Sequence, residues 1–174
     1  MACARAGWPS AEVIETARLT LEPLRLEHAE EMAPALDDHD LHEYIGGRPA
    51  TVEQLRARYA RQLAGRSADG AQGWLNWIVR HRASNAVVGS VQATLQHGAA
   101  GTSAEIAWVV AAAHQRRGYA KEAAAAMVRW LRRHGADVFV AHVHPEHEAS
   151  ASVAGHVGLE PTDAIRDGEV RWTS

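Results

Sequence analysis

Residues 114–123, HQRRGYAKEA, join an apolar run, AEIAWVVAAA, to an alanine-rich stretch with helical spacing. The residue types in that junction suit an anion. Gly118 permits a backbone angle and a close approach that a Cβ would block, and Arg116 and Arg117 offer charge-assisted hydrogen bonds to phosphate oxygens. The first turn of a following helix adds unpaired N–H groups and about half a positive charge. A solvated loop can carry the same residues, so the turn alone leaves both readings open.

Other reactive side chains lie nearby in sequence. Glu105 is the carboxylate of the run 103–110, and Ser150 opens a second alanine-rich stretch. His142, His144 and His147 crowd one short segment, and imidazole is a common metal ligand. Against a metal site, no cysteine is near, no HExxH pattern occurs, and 11 histidines make such spacing frequent by chance, so no metal is expected. Cys3 is the single cysteine, which precludes an intrachain disulfide and makes a cytoplasmic setting the expectation.

The 174 residues are 47% hydrophobic and 22% charged, which suits one compact domain over 1–174, with 1–14 expected as a flexible N-terminal extension. A formal charge of -3 leaves no broad basic surface for nucleic acid. The longest apolar run, 106–113, is too short to cross a bilayer, and MACARAGWPS lacks an apolar signal core. Neither nucleic acid nor a membrane is an expected partner.

These residues need elements to hold them. ARLTLEPL at 17–24 alternates as a strand, and 26–36 and 52–63 carry apolar residues at helical spacing, with Pro34 expected to kink or shorten the first and Thr51 to cap the second. Runs at 74–81, 86–95 and 103–110 read as consecutive strands, the last with Glu105, Ala107 and Val109 on one face. A helix over 120–134 has Ala120, Ala123, Ala124, Met127 and Leu131 as its inner stripe, and a strand follows at 137–143. A strand, a crossover helix and a strand make a parallel pair within an otherwise antiparallel sheet. A helix over 147–157 and a hairpin turning at Asp167-Gly168 complete the order β α α β β β α β α β β.

QRRGYA, placed between strand and crossover helix, resembles the QxxGxG/A signature of the GNAT superfamily of N-acetyltransferases. ETARLTLEPL, AEIAWVV, RGYAKEA and HPEHEASASVAGHVGLEP are similar, in that order, to segments of its RimJ/RimL-type branch. The GxGxxG pattern of dinucleotide folds is missing after the first strand. The resemblance implies an α/β (α+β) fold with a mixed, mostly antiparallel central sheet. Its fourth and fifth strands, a parallel pair, splay around the cofactor, and helices cover both faces.

It also implies acetyl-CoA as cosubstrate and direct transfer of the acetyl group to a primary amine in a ternary complex. Gln115, Arg116, Arg117, Gly118, Tyr119 and Ala120 would hold the diphosphate, and the backbones of Trp108, Val109 and Val110 the pantetheine arm, an N–H near Val109 serving as oxyanion donor. Glu105 falls where relatives place the base, and Ser150 matches a serine suited to protonate the thiolate, or merely to cap its helix.

Two departures stand out. Ala154 occupies the position of the family's acidic tyrosine, and His147 that of an asparagine on the cofactor-binding side. A non-catalytic acyl-CoA-binding module is therefore an alternative, and a histidine metal-binding or protein-interaction domain a third. The acceptor, whether a protein N-terminus or a small amine, is expected to be chosen by loops near 38–50 and 64–74, with Trp74 and Trp77 either lining that groove or filling the core. Either a monomer or a homodimer is compatible with the sequence.

Overall fold

A computed structural model describes residues 7–174; Cys3 lies outside the described residues. Two strands, β1 (Ile14–Glu15) and β2 (Leu19–Pro23), precede three helices, α1 (His28–Ala35), α2 (His39–Ile45) and α3 (Val52–Gln62). A meander of β3 (Gln72–His81), β4 (Val87–Gly98) and β5 (Gly101–Val110) leads through a 3-10 turn, Ala112–His114, to the crossover helix α4 (Tyr119–Arg133). Strand β6 (Val138–Val143), helix α5 (Glu148–His156) and the hairpin β7 (Glu160–Arg166) and β8 (Glu169–Thr173) complete the chain.

The strands form one sheet in the order β1-β2-β3-β4-β5-β6-β8-β7. Every neighbouring pair is antiparallel except β5 with β6, which the α4 crossover makes parallel. The expected mixed sheet is present. Its parallel pair is fifth and sixth in order rather than fourth and fifth, because β1 adds a strand where Ile14 pairs with Leu21.

Alternation along each strand sorts side chains onto two faces. Leu75, Trp77, Val91, Ala104, Ile106 and Phe139 meet the inner stripe of α4, joined by Val153 and Ala154 of α5. The opposite face packs Ile78 and Val87 against Ala29 and Met32 of α1 and Leu55 and Tyr59 of α3. Helices cover both faces, as the apolar spacing requires. The buried Arg80 guanidinium fastens α1 to the second face by donating to the carboxylates of Glu22 and Glu31 and to the Asn85 carbonyl.

Several local expectations hold in detail. Thr51 and Gln54 form a reciprocal capping box at α3, and α1 ends one residue after Pro34. Asp167 and Gly168 both have positive φ, 53° and 83°, as a two-residue hairpin turn demands. Others need correction. Helix α2 was not expected; Asp38 caps it by accepting from the Leu41 amide at 3.1 Å, but none of its residues is buried. Residues 8–14 are not a free extension: Trp8 stacks on His97 and donates to the Gly70 carbonyl, while the Glu12 carbonyl accepts from Trp77 Nε1. Among the described residues no helix is long and apolar enough to cross a membrane.

Candidate active site

The parallel pairing of β5 with β6 is short. It runs through Ser103–Val138, Ala104–Phe139 and Glu105–Val140 and then stops, although both strands continue. Beyond that fork the backbone from Ile106 to Val110 has no strand neighbour on its β6 side among the described residues, and β6 from Ala141 turns its other edge to β8. The result is a wedge between two strands, with main-chain donors and acceptors on its β5 wall left for another extended group to use.

Which groups face the wedge follows from the β4–β5 ladder. The Ala111 amide donates to the Val88 carbonyl, and a Cβ built on Gly89 would collide with the Val109 carbonyl oxygen, so Val109 turns its backbone to β4. Alternation then aims the amides and carbonyls of Trp108 and Val110 into the wedge. The amide of Val109 itself belongs to the sheet, so the N–H groups near it that face the wedge are those of Trp108 and Val110. Gln115 completes the end of this wall by donating from Nε2 to the Val110 carbonyl at 3.1 Å.

At the open end of the wedge stands the turn that starts α4. Arg116 is held at φ 60° and Gly118 at φ 78°, so two left-handed residues flank Arg117. A non-glycine residue in that region carries strain, which persists where the surroundings impose it. They do so here. Arg18 donates from Nη1 to the Arg117 carbonyl, pairs through Nε with Glu122 at 2.7 Å, and lies 4.8 Å over the Tyr119 ring. Glu122 also accepts from the Arg18 amide and the Thr16 hydroxyl. Burial works to raise the Glu122 carboxyl, but the hydrogen bonds from Thr16 and Arg18 outweigh it and hold the group below the usual carboxylate range.

The clamp leaves the turn open. Residues 115–118 are exposed, and none of the amides from Arg116 to Lys121 donates to a protein acceptor among the described residues. Successive free N–H groups at a helix start form a concave anion site. Tyr119 contributes backbone only, since its ring is buried under Arg18. Ala120 is half-buried beside it.

The opposite wall of the wedge runs from β6 into α5. His147 is the N-cap of α5, accepting from the Ser150 amide through Nδ1 at 3.2 Å, so the histidine, not the serine, caps this helix. Burial lowers the His147 imidazole from its ordinary value, with the neighbouring His144 acting the same way and a backbone hydrogen bond opposing them. A neutral ring is what the cap needs. Ser150 is half-buried, and its hydroxyl has no partner among the described residues. Ala154, fully buried, offers no hydroxyl where an acid was expected to be missing.

Glu105 sits at the closed end of the wedge on the face away from α4. Its side chain is 44% exposed and meets Arg166 Nη2 of β7 at 3.2 Å and His142 Nδ1 at 3.3 Å. Sequence reasoning missed Arg166, Arg18 and Tyr44. The first two meet their carboxylates only through tertiary contacts, and Tyr44 belongs to α2, where its ring lies 4.2 Å from that of His147 and 5.6 Å from that of His144. Among the described residues no three His, Cys, Asp or Glu side chains gather as a metal set.

On the Glu105 face, a cavity of about 140 Å³ opens between α2, α3 and the sheet, with His42, Tyr59, Asn76, Ser90, Gln92 and Val109 in its lining. A larger one of about 630 Å³ adjoins it, sharing Leu24, Gln62 and Asn76 and bounded by Trp8 and Trp74. The loops expected to select an acceptor border these two spaces. Trp74 lines the larger cavity, whereas Trp77 is fully buried against Trp130.

A family model described as an acetyltransferase (GNAT) domain matches residues 18–160. Among solved structures, an acetyltransferase of the GNAT family from Bacillus anthracis is 20% identical with a TM-score of 0.74, covering 94% of this chain and 98% of its own. RimL, a ribosomal alpha-N-protein acetyltransferase in complex with coenzyme A, gives 14% and 0.76 over 94% and 97%. Mycobacterium smegmatis RimJ in complex with a CoA-disulfide gives 20% and 0.75 over 94% and 87%. Among curated protein sequences, none matches.

Proposed function

Because the chain belongs to the GNAT acetyltransferase family, we propose that it moves the acetyl group of acetyl-CoA to a primary amine by direct attack within a ternary complex. The observation that carries this reading is the juxtaposition of an open strand wedge with the unpaired amides of residues 116–121. A diphosphate suits the amides of Arg116, Arg117, Gly118, Tyr119 and Ala120 and the two arginine side chains. An extended pantetheine arm, which carries amide groups of its own, suits the wedge-facing backbone of Trp108 and Val110. The acetyl thioester supplies the activated carbonyl; the chain's own part is to hold it, present an amine and manage protons.

An amine attacks only when unprotonated, and an ordinary lysine-like amine titrates near 10.4, so a proton acceptor on the acceptor side is required at neutral pH. Glu105 is the carboxylate on that face of β5 and serves the proton's removal, either as the acceptor or through the side chain beside it. A wedge-facing amide of Trp108 or Val110 stabilises the oxyanion. The Ser150 hydroxyl, free of other partners, protonates the departing sulfur. The acceptor proposed is a protein N-terminal amine, the kind of substrate named for the similar RimL, or a small-molecule amine entering the same cavities. The setting proposed is cytoplasmic, with the chain acting as a monomer or homodimer.

A second reading is favoured by two observations. Glu105 is tied to Arg166 and Ala154 carries no hydroxyl, which suits a module that binds acyl-CoA without turning it over. Release of free thiol from acetyl-CoA with a panel of peptide and small amines separates the two. Amine-dependent release supports the enzyme, and saturable binding without release supports the binder.

A further inference from the structure

Two residues beyond the fork, β6 carries an imidazole that the account so far leaves idle. The His142 side chain is 10% exposed, and its Nδ1 is a buried atom without a hydrogen-bond partner among the described residues. Such orphans are rare because they cost stability, and each calls for a reason. The Glu105 carboxylate oxygen lies 3.3 Å away but off the line of a hydrogen bond, engaged at 3.2 Å by Arg166. We propose that His142 is the proton acceptor for the incoming amine and that Glu105 is the carboxylate that orients its ring and balances its charge, an inference that rests on the acetyltransferase reading above.

Register favours His142 over Glu105 for direct contact. Glu105 pairs with Val140 at the last closed rung, so His142 stands level with Ala107 across the gap, one residue short of the wedge-facing Trp108. From Glu105 to Trp108 the strand rises about 10 Å, too far for a carboxylate to reach an amine attacking beside that amide. His142 also faces the correct side. Phe139, Ala141 and Val143 fill the α4 core, which leaves Val138, Val140 and His142 on the face of Glu105 and the acceptor cavities. The charged and titratable groups around it are Glu105 of β5, Arg166 of β7, Arg171 opposite it on β8, His144 farther along its own strand, and Tyr44 of α2 against His144.

A small turn of the ring that aligns Nδ1–H with the Glu105 oxygen, 3.3 Å away, leaves the Nε2 lone pair free to act. As the amine nitrogen bonds to the acetyl carbon, its proton passes to Nε2. The C–S bond breaks, the sulfur leaves as a thiolate and takes up a proton, and the net change is one proton moved from nitrogen to sulfur. No proton passes to Glu105 in this sequence.

The experiment is the pH dependence of kcat/KM for wild type, His142→Gln, His142→Ala and Glu105→Gln, with CoA affinity measured in parallel. Expected is a loss of about 100-fold or more in kcat for both His142 variants, CoA affinity within twofold of wild type, and partial rescue of His142→Ala by added imidazole. Glu105→Gln should keep an acid limb in its profile, because the imidazole that accepts the proton is still present. The proposal is overturned if His142→Gln keeps turnover within threefold of wild type, or if Glu105→Gln abolishes the acid limb while His142→Gln keeps it. Should His142→Gln fail to fold, imidazole rescue and the Glu105→Gln profile decide alone. A wild type that releases no thiol with any amine would instead sink the acetyltransferase reading.

Discussion

Replacing Gly118 with alanine probes the anion turn. The native φ is 78°, and the nearest heavy atom to an added Cβ is Arg18 Nη2 at 3.4 Å, so space exists and the cost is conformational. A non-glycine residue in the left-handed region costs about 1–2 kcal/mol, which lowers Tm by roughly 2–8 °C for a chain of this size. If the angle is kept, the new methyl stands among the free amides and obstructs a phosphate. If the angle relaxes, the amides of Gly118 and Tyr119 swing away, and hydrogen bonds to a charged group contribute about 1.5–3 kcal/mol each. Either route weakens CoA binding by about tenfold or more, since 1.4 kcal/mol is one decade. Isothermal titration calorimetry with CoA, run beside a melt, reads both quantities. A Tm that falls as expected while the dissociation constant stays within twofold of wild type would refute the reasoning, because Gly118 would then serve the fold alone.

Three further outcomes follow from named contacts. His147→Ala removes the α5 cap and should cost about 1 kcal/mol, seen as a Tm lower by about 2–4 °C, while His147→Asn retains a capping side chain and should melt near wild type. Ser150→Ala, which deletes an unpartnered hydroxyl, should leave Tm within about 2 °C but reduce kcat by about tenfold or more in a thiol-release assay; unchanged kcat would assign the proton to another donor. Stability should decline in two stages on acidification. His28, His114 and His147 are all lowered chiefly by burial, so the unfolded chain binds protons first and stability falls as pH drops below about 6.5. Glu22, Glu31 and Glu122 lie below the usual carboxylate range, so their contribution is present above about pH 4.3 and is lost as pH falls through their native values. Urea melts from pH 8 to 3 measure both stages, and His28→Asn should flatten the first.

The sequence made α4 and the turn before it readable because their signals are local. Alanines, Met127 and Leu131 recur at helical spacing, and Gln115, Arg116, Arg117 and Gly118 stand at the helix start. The β3–β4–β5 meander and the Asp167-Gly168 turn were legible for the same reason. Helix α2 was not, because DHDLHEYI is mostly polar, presents no buried stripe and is announced only by the cap at Asp38. The clamp of Arg18 on Glu122, the hold of Arg166 on Glu105 and the approach of His142 to Glu105 join residues far apart in sequence, where no periodicity reports them. Which N–H near Val109 faces the wedge was not legible for a related reason. Which way a strand turns each amide depends on its ladder register, and that is fixed by pairing with β4.

Amide chemical shifts followed by nuclear magnetic resonance during titration with CoA test the central claim most directly. The account predicts the largest, saturable changes at residues 116–121 and at Trp108 and Val110, with little at the Val109 amide. Changes gathered elsewhere, with the 116–121 amides unmoved at saturation, would contradict it.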